Sequence, residues 1–146
     1  MTRRMRRYDI SYQLSHDIDW FFRINDKCFH VASNGGLIPK FLNIDNRNNF
    51  DLQCRMSLYM EQTDDIVVRE NPRNLDWSSF EYYAKRGFIS IDRIYGDPTE
   101  QKYYVIAKPK ETAPISDEIM SMLPVLEEEY RSYIEIINID GERFDI

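Results

Sequence analysis

No run of apolar residues in this chain approaches the ~20 needed to span a bilayer, and no apolar segment follows its basic opening, MTRRMRRYDISYQ. These absences argue against a transmembrane segment and against export through a signal peptide, leaving the cytoplasm as the expected location. Cysteine is scarce as well: Cys28 and Cys54 stand 26 positions apart with no CxxC spacing. In a reducing compartment both are expected to be small buried apolar residues. With His16 and His30 the only histidines, two cysteines are a weak basis for a zinc site. GxSxG, HExxH, P-loop and Rossmann patterns are missing, so no cofactor or metal is expected. Neither a repeat nor a Pro/Gly/Ser-rich linker marks a domain boundary.

What is present is core material. A length of 146 residues suits one domain, 1–146, and 42% hydrophobic residues with ten Tyr, eight Phe and two Trp can fill a sizeable core. The net charge of −6 is uneven, because Arg3, Arg4, Arg6 and Arg7 sit in residues 1–7 without an acid. That leaves 15 basic against 25 acidic side chains, or −10, for the rest of the chain. An acidic body repels a phosphate backbone, which argues against nucleic acid as a partner except through those four arginines. The basic tip can touch RNA, an anionic membrane or the protein's own acidic face; a flexible, solvated terminus is the plainer expectation.

Polar–apolar alternation predicts strands at 8–14 (YDISYQL), 17–24 and 27–33, the last two forming a hairpin about Asn25-Asp26. Asn34-Gly35-Gly36 ends the third strand, and Pro39 keeps LIPKFL from starting as a regular central strand. FDLQCRMSLYM, 50–60, alternates as a strand would, yet it has no β-branched residue and Asn48 or Asn49 can cap it as a helix; both readings stand. DIVVRE, 65–70, reads as a short strand. DWSSFEYYAKRG reads as a helix with Asp76 as N-cap, Trp77, Phe80 and Ala84 on one face, and Gly87 just past its end. FISIDRIY and KYYVIAK follow as strands joined by GDPTEQ; Ser116 caps a short helix, Pro124 opens another, and YIEIINI is a closing strand. Together these give a single α+β domain, a mainly antiparallel sheet with two or three helices packed on it. The 76–86 helix and the C-terminal helical segment are expected to cover one face.

The stretch 15–36, SHDIDWFFRINDKCFHVASNGG, concentrates the reactive side chains. With Asn25-Asp26 as the loop, Ile24 pairs with Lys27, Phe22 with Phe29 and Trp20 with Val31. One face then holds Ile18, Trp20, Phe22, Ile24, Phe29 and Val31 and belongs to the core. The other carries Asp17, Asp19, Phe21, Arg23, Cys28, His30, Ala32 and Asn34. Alternation puts His16 and His30 on opposite sides, so a His16–Asp17–Asp19–His30 metal site would need a bulge to close. What remains is Asp19 diagonal to His30, with Asp17 nearby, as candidate catalytic residues. An Asp beside a His orients an imidazole as general base. The plainer reading is a polar face with cross-strand pairs.

Two further motifs are weaker. Residues 33–36 can offer backbone N–H groups to an anion, though a plain turn is favoured. Glu100 and Lys102, with Asp92 and Asp97, are the residue types of a metal-dependent nuclease, but the apolar run follows Lys102 instead of preceding it. Glu127 to Glu129 read as a solvated helix face.

At DIDWFFRINDKCFHVASNGGLIP and YYAKRGFISIDRIYGDPTEQKYYVIAKP, the chain resembles a family of small uncharacterised bacterial proteins. These share an IDFF…HIASNGG…P opening and an AKKGFYSYDR centre. The resemblance covers roughly half the chain and implies a single small cytoplasmic domain; it carries no activity, cofactor or site residues. Two functions are therefore expected. The first is a non-catalytic protein-interaction or accessory protein, meeting another protein, or itself as a homo-oligomer, through aromatic residues. The alternative is a small hydrolase or metal-dependent nuclease using Asp19 and His30 beneath a pocket on the polar side of the hairpin.

Overall fold

The register that alternation predicts for the hairpin is the one the chain adopts. Strands β1 (Asp19–Ile24) and β2 (Lys27–Ala32) pair antiparallel, with Ile24 opposite Lys27, Phe22 opposite Phe29 and Trp20 opposite Val31. Asn25 turns the chain at φ 52°, in the left-handed region that Asn tolerates. The computed structural model describes residues 8–38, 46–59, 62–93, 101–112, 115–126, 128–132 and 134–144. Arg3, Arg4, Arg6, Arg7, Pro39, Asp97, Glu100 and Glu127 lie outside them.

Within the described residues β3 (Ile66–Val68), β4 (Ile89–Arg93), β5 (Lys102–Pro109) and β6 (Glu135–Ile137) complete one sheet of order β1-β2-β4-β5-β3. β4 runs parallel to β2 and antiparallel to β5. The far edge of β5 is shared, β6 pairing parallel at 102–104 and β3 antiparallel at 107–109. The class is α+β as expected, and the two parallel pairs make the sheet mixed.

Five helices are described: α1 (Ile10–Ser15), α2 (Asn46–Tyr59), α3 (Ser78–Ala84), α4 (Asp117–Met122) and α5 (Glu128–Arg131). α1 replaces the strand expected at 8–14. Asp9 caps it, its Oδ1 accepting the Tyr12 N–H at 2.7 Å, and Tyr12 stacks on Tyr8 on one side and His16 on the other. The open question at 50–60 resolves as helix α2. Leu52 and Met56 point inward while Phe50 and Cys54 point out, so two i,i+4 pairs on opposite faces mimic strand alternation. This exposes Cys54, correcting the expectation of two buried cysteines; Cys28 alone is buried.

Helix α3 begins two residues after Asp76. Asp76 accepts the Ser78 N–H at 3.1 Å from outside the helix, and Trp77 occupies the N-cap position without a side-chain cap. Its end follows expectation: Gly87, at φ 98°, donates to the Ala84 carbonyl and Phe88 N–H to that of Tyr83, a Schellman closure. Ser116 caps α4 as expected. Pro124 does not open a helix; its carbonyl accepts the Arg23 N–H at 2.9 Å, and Leu126 N–H donates to the Arg23 carbonyl at 3.1 Å. Residues 124–126 thus cover the outer edge of β1, which would otherwise present unpaired backbone groups.

Both faces of the sheet are buried. Trp20, Phe22, Phe29, Val31, Ile91 and Val105 form one core, closed by Leu126, Ile134 and Ile136 from the C-terminal part. Phe21, Cys28 and Phe88 form another with Leu52 and Met56 of α2 and Ile119 of α4, and Ala32 packs with Phe80 and Ala84 of α3. The hairpin face read as a polar surface is therefore interior, because three helices cover it. Among the described residues no helix is long and apolar enough to cross a membrane.

One close approach fixes the loop after β2. The Arg93 guanidinium donates to the carbonyls of Ser33 (3.0 Å) and Asn34 (3.2 Å) directly beside Gly36. A methyl on Gly36 would overlap the Arg93 side chain and stand 2.9 Å from the Ser33 carbonyl oxygen. Gly36→Ala should therefore lower stability by about 1–3 kcal/mol in urea denaturation; an unchanged midpoint would mean Arg93 moves away without cost.

Candidate functional site

Asp19 and His30 face the same side of the hairpin from diagonal positions, since Asp19 lies opposite Ala32 and Phe21 opposite His30. Their side chains meet: His30 Nε2 is 2.7 Å from Asp19 Oδ1. The other ring nitrogen, Nδ1, is 3.1 Å from the Ser90 hydroxyl, which the parallel β2/β4 register places directly opposite His30. Ser90 in turn donates to the Phe80 carbonyl of α3 at 2.9 Å. One chain of hydrogen bonds thus joins β1, β2, β4 and α3.

The hydrogens in this chain can be assigned by counting. Ser90 has one hydroxyl proton, and a carbonyl can only accept. With that proton on the bond to Phe80, Ser90 Oγ accepts from His30, and Nδ1 carries the hydrogen. Nε2 meets Asp19 Oδ1, so both ring nitrogens are engaged.

Ser90, His30 and Asp19 are the residue types of a nucleophilic triad, but their arrangement opposes that chemistry. A triad needs the serine proton directed at the imidazole and the oxygen open to substrate. Here the serine proton points to a carbonyl, and both Ser90 and His30 are 0% exposed. Aromatic rings wall the imidazole, with centroids at 4.2 Å for Tyr83, 5.4 Å for Phe21 and 5.7 Å for Phe80. The space expected for a pocket is filled by α3. Only Asp19 reaches the surface, its side chain 36% exposed. Its backbone carbonyl is held by Asn49 (2.8 Å) and Gln53 (3.1 Å) of α2. Burial and the Asp19 carboxylate together push the Tyr83 phenol well above its ordinary range.

Asp17 is engaged elsewhere: its Oδ1 accepts the Asn34 N–H at 2.9 Å. The other amides of that loop are equally committed, Ser33 to the Ile18 carbonyl, Gly35 to that of His16 and Gly36 to that of Ser33. Residues 33–36 therefore form the plain turn that was favoured, and none of their four N–H groups is left for an anion. His16, exposed and stacked on Tyr12, belongs to the end of α1. Among the described residues no three His, Cys, Asp or Glu side chains converge as a metal would require.

Ser90 escaped sequence reasoning, and Asp92 entered it only through the weak nuclease-type motif with Glu100 and Lys102. Both alternate with Ile89 and Ile91 on β4, a polar row within an apolar strand, but only the parallel pairing with β2 brings them to the hairpin. Burial, and then the nearby Asp17 carboxylate, raise Asp92 to about 7, against the opposing Arg93 backbone N–H and guanidinium. No family model, curated protein or solved structure matches the chain.

Two measurements test this geometry. Ser90→Ala strands the buried Nδ1–H and should cost about 1–3 kcal/mol in urea denaturation; a neutral change would show that His30 holds its position without Ser90. Asp92 binds its proton more tightly folded than unfolded, so its contribution to stability is greatest below about pH 4 and is lost as pH rises through about 7. Asp92→Asn should therefore stabilise the protein at pH 8 by about 1 kcal/mol or more, with the gain vanishing by about pH 4. A pH-independent difference would contradict the assignment.

Proposed function

We propose that this chain is a non-catalytic protein-interaction or accessory protein of a bacterial cell. The observation that carries the reading is the sealing of its most reactive cluster: His30 and Ser90 are wholly buried, with every polar atom committed to the fold. Chemistry needs a reacting atom within reach of substrate, and this cluster offers only the Asp19 carboxylate. Apolar side chains are presented elsewhere. On α1, Ile10 is 64% exposed and Leu14 47%, one turn apart, with Tyr12 between them in sequence. Such residues gain when a partner covers them.

Light scattering over a concentration series and a pull-down from native lysate test the reading. Association is expected in the wild type, and Ile10→Ser with Leu14→Ser should reduce it about tenfold or more without a change in Tm. A strictly monomeric wild type that captures no partner would count against the proposal. The hydrolytic alternative rests on the exposed Asp19 oxygen beside His30. It requires turnover of an activated ester or phosphodiester that Asp19→Asn and His30→Asn both abolish while the fold persists.

A further inference from the structure

We propose that the cleft between the hairpin turn and the end of β5 binds a small organic anion, a carboxylate or phosphate carried on a flat apolar body. The cleft has a volume of about 190 Å3 and lies at the opposite end of β2 from Asp19. Lys27 of β2, Lys108 of β5 and Lys110 just beyond it line the cleft, with Asp26 the single lining acid among the described residues. In a chain with 25 acidic and 19 basic side chains, this is a local reversal of sign, the arrangement that focuses an anion against the field of the whole molecule.

Among the described residues none of the three lysines forms an ion pair. Two are oriented by uncharged groups instead. Lys27 Nζ stands 5.3 Å from the centroid of the Phe144 ring, and Lys108 Nζ donates to Asn138 Oδ1 at 3.1 Å. A ring face and an amide oxygen hold an ammonium in place without neutralising it, so the positive charge stays available to a ligand. The apolar side of the ligand meets Phe144, Ile89 and Pro109. Phe144 is itself fixed edge-on against Phe29 at 5.7 Å.

The dimensions limit the ligand. Drug-sized pockets run to about 300–1,000 Å3, so this cleft suits a single ring bearing one anionic group. Cys28 also lines it, but burial pushes that thiol to about 12, which makes it a wall rather than a nucleophile at neutral pH. The ligand is held and released unchanged. This inference goes beyond the interaction reading and stands on residues remote from α1.

Two sources can supply such a group, a free small molecule or a modified side chain such as phosphotyrosine on a peptide. Calorimetry and 15N chemical-shift mapping on the full chain, with phenyl phosphate, benzoate, inorganic phosphate and a phosphotyrosine peptide as probes, separate them. Phenyl phosphate is expected to saturate with a Kd of about 0.1–1 mM, to weaken as salt rises, and to shift amides of residues lining the cleft. Lys27→Gln and Lys110→Gln, both at exposed positions, should each weaken it about three- to tenfold. Phe144→Leu should weaken phenyl phosphate but leave inorganic phosphate unchanged. Tighter binding of the peptide than of phenyl phosphate assigns the peptide as source; equal or weaker binding assigns the free molecule. No saturable binding by phenyl phosphate or benzoate up to about 10 mM, affinity indifferent to both lysine substitutions, or inorganic phosphate binding as tightly as phenyl phosphate would overturn the proposal.

Discussion

A buried imidazole must find partners for both its nitrogens, and in this protein that requirement falls on four separate elements at once. His30 sits at 0% exposure in a sheet covered on both faces. A lost partner for such a group costs about 1–3 kcal/mol, a sizeable share of ordinary domain stability. Satisfying Nδ1 requires Ser90, which lies opposite His30 only in the observed parallel register of β2 and β4. Satisfying Nε2 requires Asp19, placed diagonally by the hairpin register. The Phe80 carbonyl then fixes where α3 crosses the sheet. A shift of one residue in β4 would bring an isoleucine opposite the imidazole and break the chain.

The same accounting extends to the edge of the sheet. Among the described residues β1 has a strand partner on one side only, and its outer backbone groups are met by residues 124–126 and by Asn49 and Gln53 of α2. The loop after β2 follows the same rule, with its amides turned inward and its carbonyls gripped by Arg93. Polar residues that look like chemistry in the sequence, Asp17, Asp19, His30, Ser33 and Asn34, are occupied in holding backbone and strands together. The cationic cleft differs because two of its lysines, Lys27 and Lys108, are oriented without being neutralised.

What was legible in the sequence was local. The hairpin register, the Gly87 helix stop, the Ser116 cap and the diagonal placement of Asp19 and His30 all depend on neighbours a few residues away or across a two-residue turn. Alternation misled at 8–14 and left 50–60 undecided for a shared reason. Two i,i+4 pairs offset by two residues read as perfect period-2 patterning, so the pattern alone cannot separate a strand from a helix with apolar groups on both sides. At α1 the Asp9 cap and the Tyr8–Tyr12–His16 stack favour the helix, and at α2 the inward pair, Leu52 and Met56, meets a core.

The sequence by itself determined the α+β class, the hairpin and which residues share each of its faces, because side-chain alternation and turn chemistry act over short distances. Only the tertiary structure decided that the second face is interior, that Ser90 completes the His30 pair, that Cys54 is exposed and that Lys27 meets Lys108 and Phe144 around one cleft. Those outcomes rest on contacts between distant segments, His30 and Ser90 being 60 positions apart. No local propensity encodes such a pairing; it is selected by the joint burial and hydrogen-bonding of the whole sheet.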